Sequence, residues 1–284
     1  MKILVIFTGG TIGSAVEDGF IAPGENKYRL IDMYRAKYGD DVIFETDNPF
    51  TILSENVTGD TLNALLYFVR AGLKKDYDGI IVTHGSDTLQ YSAAALYFAL
   101  GPVNVPIALV ASNLVLDDER ANGLPNFVDA VKYIAGGTPG VRISYEGIKH
   151  PVFALPQTIY EERIDELSVT ELPVEFSPRT VDYISASSDV MWIKMHPGVS
   201  YYLSENTKAI LFEGYHSGTL PTEDDVFKSF VQVAKRKNIP IYLVGAKQGT
   251  QYASCAAYDE LGIVSLPRIS PIAAYIWVWL YGRR

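Results

Sequence analysis

The sequence has 284 residues, 48% of them hydrophobic and 20% charged, with a net charge of −9. That balance is one of a globular chain able to bury a large core, and an acidic charge without any Lys/Arg run excludes a nucleic-acid-binding surface. The single cysteine, Cys255, excludes an intrachain disulfide and a cysteine-based zinc site. No apolar run reaches the ~18 residues of a membrane span. Met1 leads directly into the first strand, leaving no room for a signal peptide, so the expected location is the cytoplasm.

Lys2 to Phe7 (KILVIF) is an unbroken apolar run, the pattern of a strand buried on both faces of a parallel sheet. It breaks at Thr8-Gly9-Gly10-Thr11-Ile12-Gly13. The two glycines admit backbone angles closed to other residues and let a ligand approach the main chain. A threonine held there suits a nucleophile, and equally a tight turn with ordinary hydroxyl caps. Ser14 to Lys27 is polar, with Gly19, Pro23 and Gly24, and reads as a mobile loop. A helix is expected over Leu30 to Tyr38, a strand over Val42 to Thr46, and a short apolar piece ending at Leu53-Ser54-Glu55-Asn56. Thr58 or Asp60 caps a helix whose apolar face is Leu62, Leu65, Leu66, Val69 and Leu73. Gly79 to Thr83 (GIIVT) is a second buried strand, running into His84-Gly85-Ser86-Asp87-Thr88, and Ser92 to Leu100 is an Ala-rich helix.

A strand over Ile107 to Ala111, a helix over Asn122 to Ile134 and strands over Val141 to Tyr145 and Val152 to Leu155 follow. From Tyr160 to Ser188 the pattern fades, and alternation then resumes on a smaller scale. Strands are expected at Val190 to Met195, Ala209 to Phe212 and Ile241 to Val244, with helices at Glu223 to Lys237, near Ser254 to Leu261 and at Pro271 to Tyr281. The alternation predicts an α/β fold: a larger N-terminal doubly wound, mostly parallel sheet and a smaller C-terminal α/β domain. The expected boundaries are 1–165 for the first domain, carrying most of the site, 166–188 for a linker and 189–284 for the second.

Strand-ends carrying similar chemistry belong on one edge of a parallel sheet, where ligands bind. Thr11, Ser86 and Asp87 are therefore expected to converge, with Ser54 and Glu55 joining them. Hydroxyls beside carboxylates, with Gly10 and Gly85 exposing main-chain N–H groups, suit acyl transfer from a small zwitterion. Helix capping explains each hydroxyl separately but accounts poorly for three such strand-ends.

Together, Thr8-Gly-Gly-Thr11-Ile12-Gly13 and His84-Gly-Ser86-Asp87-Thr88 resemble the bacterial-type L-asparaginases, threonine amidohydrolases of about this length. The likeness extends to the Ala93–Leu100 helix, to Arg120 through Asn126 and to Tyr215-His216-Ser217-Gly218-Thr219, thinning in the last third. The resemblance implies Thr11 as first nucleophile, Ser86 on the proton and water side of the reaction, and Asp87 holding the substrate's α-ammonium. It implies Ser54 on the α-carboxylate, Glu55 beside the ammonium, and Gly10 and Gly85 lining the substrate. It further implies an amino-acid amide as substrate, a homodimer or homotetramer with sites between subunits, and no cofactor.

The chain departs from that pattern in three places. Serine replaces threonine at Ser86, which keeps the hydroxyl with more rotamer freedom. Phe20 stands where the family's loop offers a Tyr, and Phe neither donates nor accepts a hydrogen bond; Tyr28, further along, is the candidate substitute. The family's active-site Lys has Glu161 as its best match, and no Lys lies between Lys149 and Lys194. Glu161 beside Asp87 would raise one carboxylate's pKa.

His84 is read as a structural residue hydrogen-bonding backbone rather than the partner of Ser86. His196 and His216 form no cluster at metal spacing, so no metal is expected. Cys255 reads as a buried core thiol. The expected activity is hydrolysis of L-asparagine to L-aspartate and ammonia. Two readings compete with it. One is a weakly catalytic or non-catalytic relative that binds an acidic amino acid or its amide. The other is the amidase half of a tRNA-dependent amidotransferase, against which the absence of an extra N-terminal domain and of a basic face is set.

Overall fold

The computed structural model describes residues 1–17, 19–23, 28–147, 151–154, 171–246 and 252–282, with the side chains of 11, 15–17 and 21–23 outside the description. The described chain divides into two units. The first takes in Met1–Val152 and Pro178–Ala186; the second begins at Ser187 and includes 153–154 and 171–177.

The first unit runs β1 (Lys2–Phe7), a 3-10 turn (Thr11–Gly13), β2 (Ser14–Glu17), β3 (Phe20–Pro23), α1 (Arg29–Tyr38) and β4 (Ile43–Asp47). A 3-10 turn (Ser54–Asn56), α2 (Gly59–Leu73), β5 (Gly79–Thr83), α3 (Leu89–Leu100), β6 (Pro106–Val110), α4 (Gly123–Ala135) and β7 (Gly140–Ser144) follow. Its sheet has the order β4-β1-β5-β6-β7 with every pairing parallel. The inner strands are buried along almost their whole length, because helices cover both faces of a parallel sheet. On one face Ile3, Val5, Phe7, Ile81, Ala108 and Val110 pack with Leu30, Ile31 and Tyr34 of α1 and Phe127, Val131 and Ile134 of α4. Each such large side chain contributes about 1.5–3 kcal/mol on burial. On the opposite face α2 lies close because Gly72 has no side chain. A methyl group there would come within 2.6 Å of Leu4 Cδ2 and 3.0 Å of Ile80 Cδ1.

Residues 178–186 strap this unit from outside. The Arg70 guanidinium donates to the carbonyls of Ala99 (3.2 Å), Asp182 (3.2 Å) and Val181. Val181 N donates to Ala99 O (3.0 Å) and the Thr180 hydroxyl to Leu100 O (3.0 Å). Carbonyls at the end of α3 that lack helical partners are thereby satisfied.

The second unit contains β8 (Val190–Lys194), β9 (Ala209–Glu213), α5 (Asp225–Arg236), β10 (Ile241–Val244), α6 (Tyr258–Leu261), β11 (Ile263–Ser265) and α7 (Pro271–Tyr281), with the parallel order β11-β10-β9-β8. Its core centres on Ile210, Phe212, Phe227, Phe230, Val231 and Leu243. Asp224 caps α5 by accepting from Phe227 N at 2.8 Å. Ser270 caps α7 by accepting from Ala273 N at 3.0 Å, with Pro271 in the first turn, where its missing N–H costs nothing.

The α/β class, the parallel sheets and most elements match expectation. Four details differ. The segment read as a mobile loop contains an antiparallel hairpin, with Ser14 opposite Pro23 and Glu17 opposite Phe20. Val152–Ala154 is a 3-10 turn, not a strand. The helix expected near 254–261 is split into a 3-10 turn, Ala253–Ala257, and α6. Cys255 is half-buried at the margin of the second core rather than enclosed. No helix among the described residues is long and apolar enough to cross a membrane.

Candidate active site

The site grows from the carboxyl ends of β1 and β5, which pair so that Phe7 lies beside Thr83. Thr8 then turns its hydroxyl back to donate to Thr83 O at 2.7 Å, inside the protein. The first threonine of the motif is thus committed to locking two strand-ends together. The chain next pairs with Ile52: Ile52 N donates to Thr8 O (3.1 Å), and Gly10 N donates to Ile52 O (2.9 Å). Asn48 tightens the same corner, its amide donating to Phe7 O at 2.7 Å and Phe50 O at 3.1 Å.

Gly10 has φ +76°, and a methyl group on it would lie 2.3 Å from both Cα and N of Gly85. One on Gly85 would lie 2.4 Å from Ser54 Oγ and 3.2 Å from Gly10 Cα. The three strand-end motifs therefore meet at the main chain of Gly10 and Gly85 and the side chain of Ser54, which is only 5% exposed. Thr88 fastens the contact by donating its hydroxyl to Ser54 O at 2.8 Å. Beyond Gly10, Gly13 N (2.9 Å) and the Ser14 hydroxyl (2.8 Å) both donate to Gly10 O, which folds Thr11–Gly13 into its turn.

His84 is 2% exposed, and its ring faces Gly85 O through Nδ1 and the Ser92 hydroxyl through Nε2, each at 2.8 Å. Burial pushes its pKa below the usual imidazole value. Next in the chain, Ser86 is half-buried and Asp87 exposed, as is Glu55 after Ser54. Phe20 projects outward at 77% exposure from β3. Tyr28 stands edge-on to Phe7, with ring centroids 5.2 Å apart, and the adjoining Arg29 pairs with Asp117. Glu161 lies outside the described residues.

Two residues that sequence reasoning did not single out shape this edge. Asn126 ties the ends of β6 and β7, donating to Ala111 O and accepting from Glu146 N, each at 2.9 Å. A polar residue at an otherwise apolar helix position was its signal. Gln90, in the first turn of α3, is fully buried, and among the described residues neither amide atom has a hydrogen-bond partner. In the second unit His196 and His216 are both exposed, and among the described residues no group of three His, Cys, Asp or Glu side chains is placed to hold a metal.

Hydroxyls, carboxylates and glycine-exposed main chain along one strand edge are the equipment of amide hydrolysis, a class of chemistry that needs a nucleophile, oxyanion donors and charge to hold a substrate. The sequence matches the profile "Asparaginase, N-terminal" over residues 2–150. The chain belongs to the asparaginase family and is an asparaginase-like amidohydrolase.

Its similarity to individual relatives is more distant. It is 24% identical to an L-asparaginase of Thermococcus kodakarensis over 78% of this chain and 73% of that protein. It is 23% identical to one subunit of the glutamyl-tRNA(Gln) amidotransferase of Methanosphaera stadtmanae over 99% of this chain and 72% of that one. The solved thermostable L-asparaginase from Thermococcus kodakarensis superposes over the whole chain with a TM-score of 0.79 at 22% identity, covering 94% of that structure.

Proposed function

We propose that this chain hydrolyses the side-chain amide of L-asparagine to L-aspartate and ammonia. The observation that carries the reading is the meeting of Gly10, Gly85 and Ser54, which gathers the Thr11, Ser86-Asp87 and Ser54-Glu55 segments on one sheet edge. In this reading the Thr11 hydroxyl adds to the amide carbon, and its proton leaves with the departing ammonia. Water then splits the threonyl ester, with Ser86 handling the proton. Ser54 holds the α-carboxylate, Asp87 and Glu55 hold the α-ammonium, and main-chain N–H groups near Gly10 and Gly85 face the substrate. Asp87 and Glu55 are exposed in the single chain, which fits sites completed by a second copy in a homodimer or homotetramer. A fully active monomer by light scattering would count against that assembly.

Replacing Thr11 by Val keeps the side-chain shape and removes the hydroxyl. Ammonia release should fall by about 10³-fold or more while L-aspartate binding by calorimetry persists. Wild-type-like release would sink the assignment of Thr11.

A second reading has its own support, because several relatives that match over nearly the whole of this chain are amidotransferase subunits. Under it, the ammonia would be passed to a glutamyl-tRNA substrate with a partner protein rather than released. Assays of the purified chain with asparagine and with glutamine separate the two: asparagine turnover by the chain alone supports the first, and turnover only after a partner is added supports the second.

A further inference from the structure

We infer that His84 is a positioning residue, one that orients the Gly85–Ser86 peptide from behind and never meets the substrate. The inference rests on the proposed amidohydrolase reading for its kinetic consequence, but its structural part stands on the ring's own bonding. Nδ1 lies 2.8 Å from Gly85 O, and a carbonyl oxygen only accepts, so Nδ1 carries the hydrogen. Burial favours the neutral ring, in which Nε2 offers a lone pair to the Ser92 hydroxyl 2.8 Å away. The Gly85 carbonyl thereby fixes the tautomer, and the Ser92 hydroxyl of α3 satisfies the nitrogen left over. The strand-end is fixed from the other side as well, since His84 N donates to Val110 O at 2.8 Å.

The consequence follows from the planarity of the peptide bond. In a trans peptide the C=O and the next N–H point in opposite directions. Holding Gly85 O on the imidazole therefore aims the Ser86 N–H away from the ring. Among the described residues that N–H has no main-chain partner, and the contact of Gly85 with Gly10 and Ser54 places it at the junction of the three motifs. Glycine has no side chain to restrict its own rotation, so without the ring this peptide would be free to turn over. A main-chain donor is effective only if it is aimed before the reaction begins, and His84 supplies that aim across a residue that cannot aim itself.

Three replacements test this. The amide nitrogen of Asn can take the place of Nδ1, so His84→Asn keeps the grip on Gly85 O without the Ser92 contact, whereas His84→Phe keeps bulk and loses both. With asparagine, His84→Phe should lower kcat by about 10²-fold, the penalty of a small misplacement. Its KM should change less than the kcat, and His84→Asn should recover most of the loss. Ser92→Ala, which removes the hydroxyl on Nε2 but leaves the grip on Gly85 O, should cost only a few-fold. Nitrogen-resolved NMR of the wild-type ring should show the hydrogen on Nδ1.

A ring protonated on Nε2, or His84→Phe with unchanged kcat, or His84→Asn no better than His84→Phe while circular dichroism shows both folded, would each overturn the proposal. Should the wild type release no ammonia from asparagine, the functional reading fails. The tautomer, with L-aspartate affinity weakened in His84→Phe and restored in His84→Asn, then decides the positioning role; an unchanged affinity in both would overturn it.

Discussion

The two parallel sheets end their strands in glycine-bearing loops, yet the glycines do different jobs. At the carboxyl edge of the first sheet, the space a side chain would fill at Gly10 or Gly85 is taken by another motif, distant in sequence. In the second, the loop after β9 closes on its own turn: Tyr215 N donates to Thr219 O (3.1 Å) and Gly218 N to Tyr215 O (2.7 Å). A side chain, Tyr258, holds that turn by donating its hydroxyl to Gly218 O at 3.1 Å. A methyl group at Gly214 would come nearest to the side-chain tip of Leu243 at 3.0 Å and to the Gly218 main chain at 3.4 Å. At the first edge distant segments meet with their backbones in close contact, and at the second a local turn is held by a distant side chain. The same architecture therefore gathers three distant motifs in the first case and a closed turn in the second.

The sharpest way to break this comparison is to place alanine on each edge. Gly10→Ala combines a left-handed backbone with a methyl group driven into Gly85, and should destabilise the first unit by about 4 kcal/mol or more. Gly214→Ala should cost under about 1 kcal/mol, because a side-chain tip can give way. Thermal unfolding of the two variants, with L-aspartate affinity alongside, measures the contrast. Equal losses would show that the two edges are built alike.

A smaller effect is expected at Asn126, whose side chain joins the ends of β6 and β7 through one buried and one half-buried hydrogen bond. Asn126→Ala leaves Ala111 O and Glu146 N without those partners and should cost about 2–4 kcal/mol in urea unfolding. A loss below about 1 kcal/mol would mean that water replaces both bonds and that the edge is less closed than its geometry implies.

The smallest change belongs to the second edge. Lys194 lies 3.3 Å from Glu213 across β8 and β9, but its side chain is 77% exposed. Lys194→Met should move stability by no more than about 0.5 kcal/mol, and less in high salt. A larger loss would mean that this edge too depends on contacts between strands.

Much of this was legible in the residues. KILVIF and GIIVT are buried strands because runs of apolar β-formers have nowhere to go but between two helical layers, and the motifs after them mark where a parallel sheet binds ligands. What escaped was pairing. The hairpin of β2 and β3 is short and polar at its start, and a strand without apolar alternation shows itself only through its partner. With three residues, β11 is too brief for any periodic signal.

The sequence by itself determined the class of fold, the family and the two motifs, since local pattern and glycine placement are properties of neighbouring residues. Only the tertiary structure decided which hydroxyl is spent. Thr8 and Thr11 look alike in TGGT, but the register of β1 against β5 puts Thr8 on Thr83 O. Likewise, only folding turns Nδ1 of His84 onto Gly85 O and brings Ser92 to its other nitrogen. A hydrogen bond depends on the distance between atoms, and the chain sets that distance only once its strands are paired.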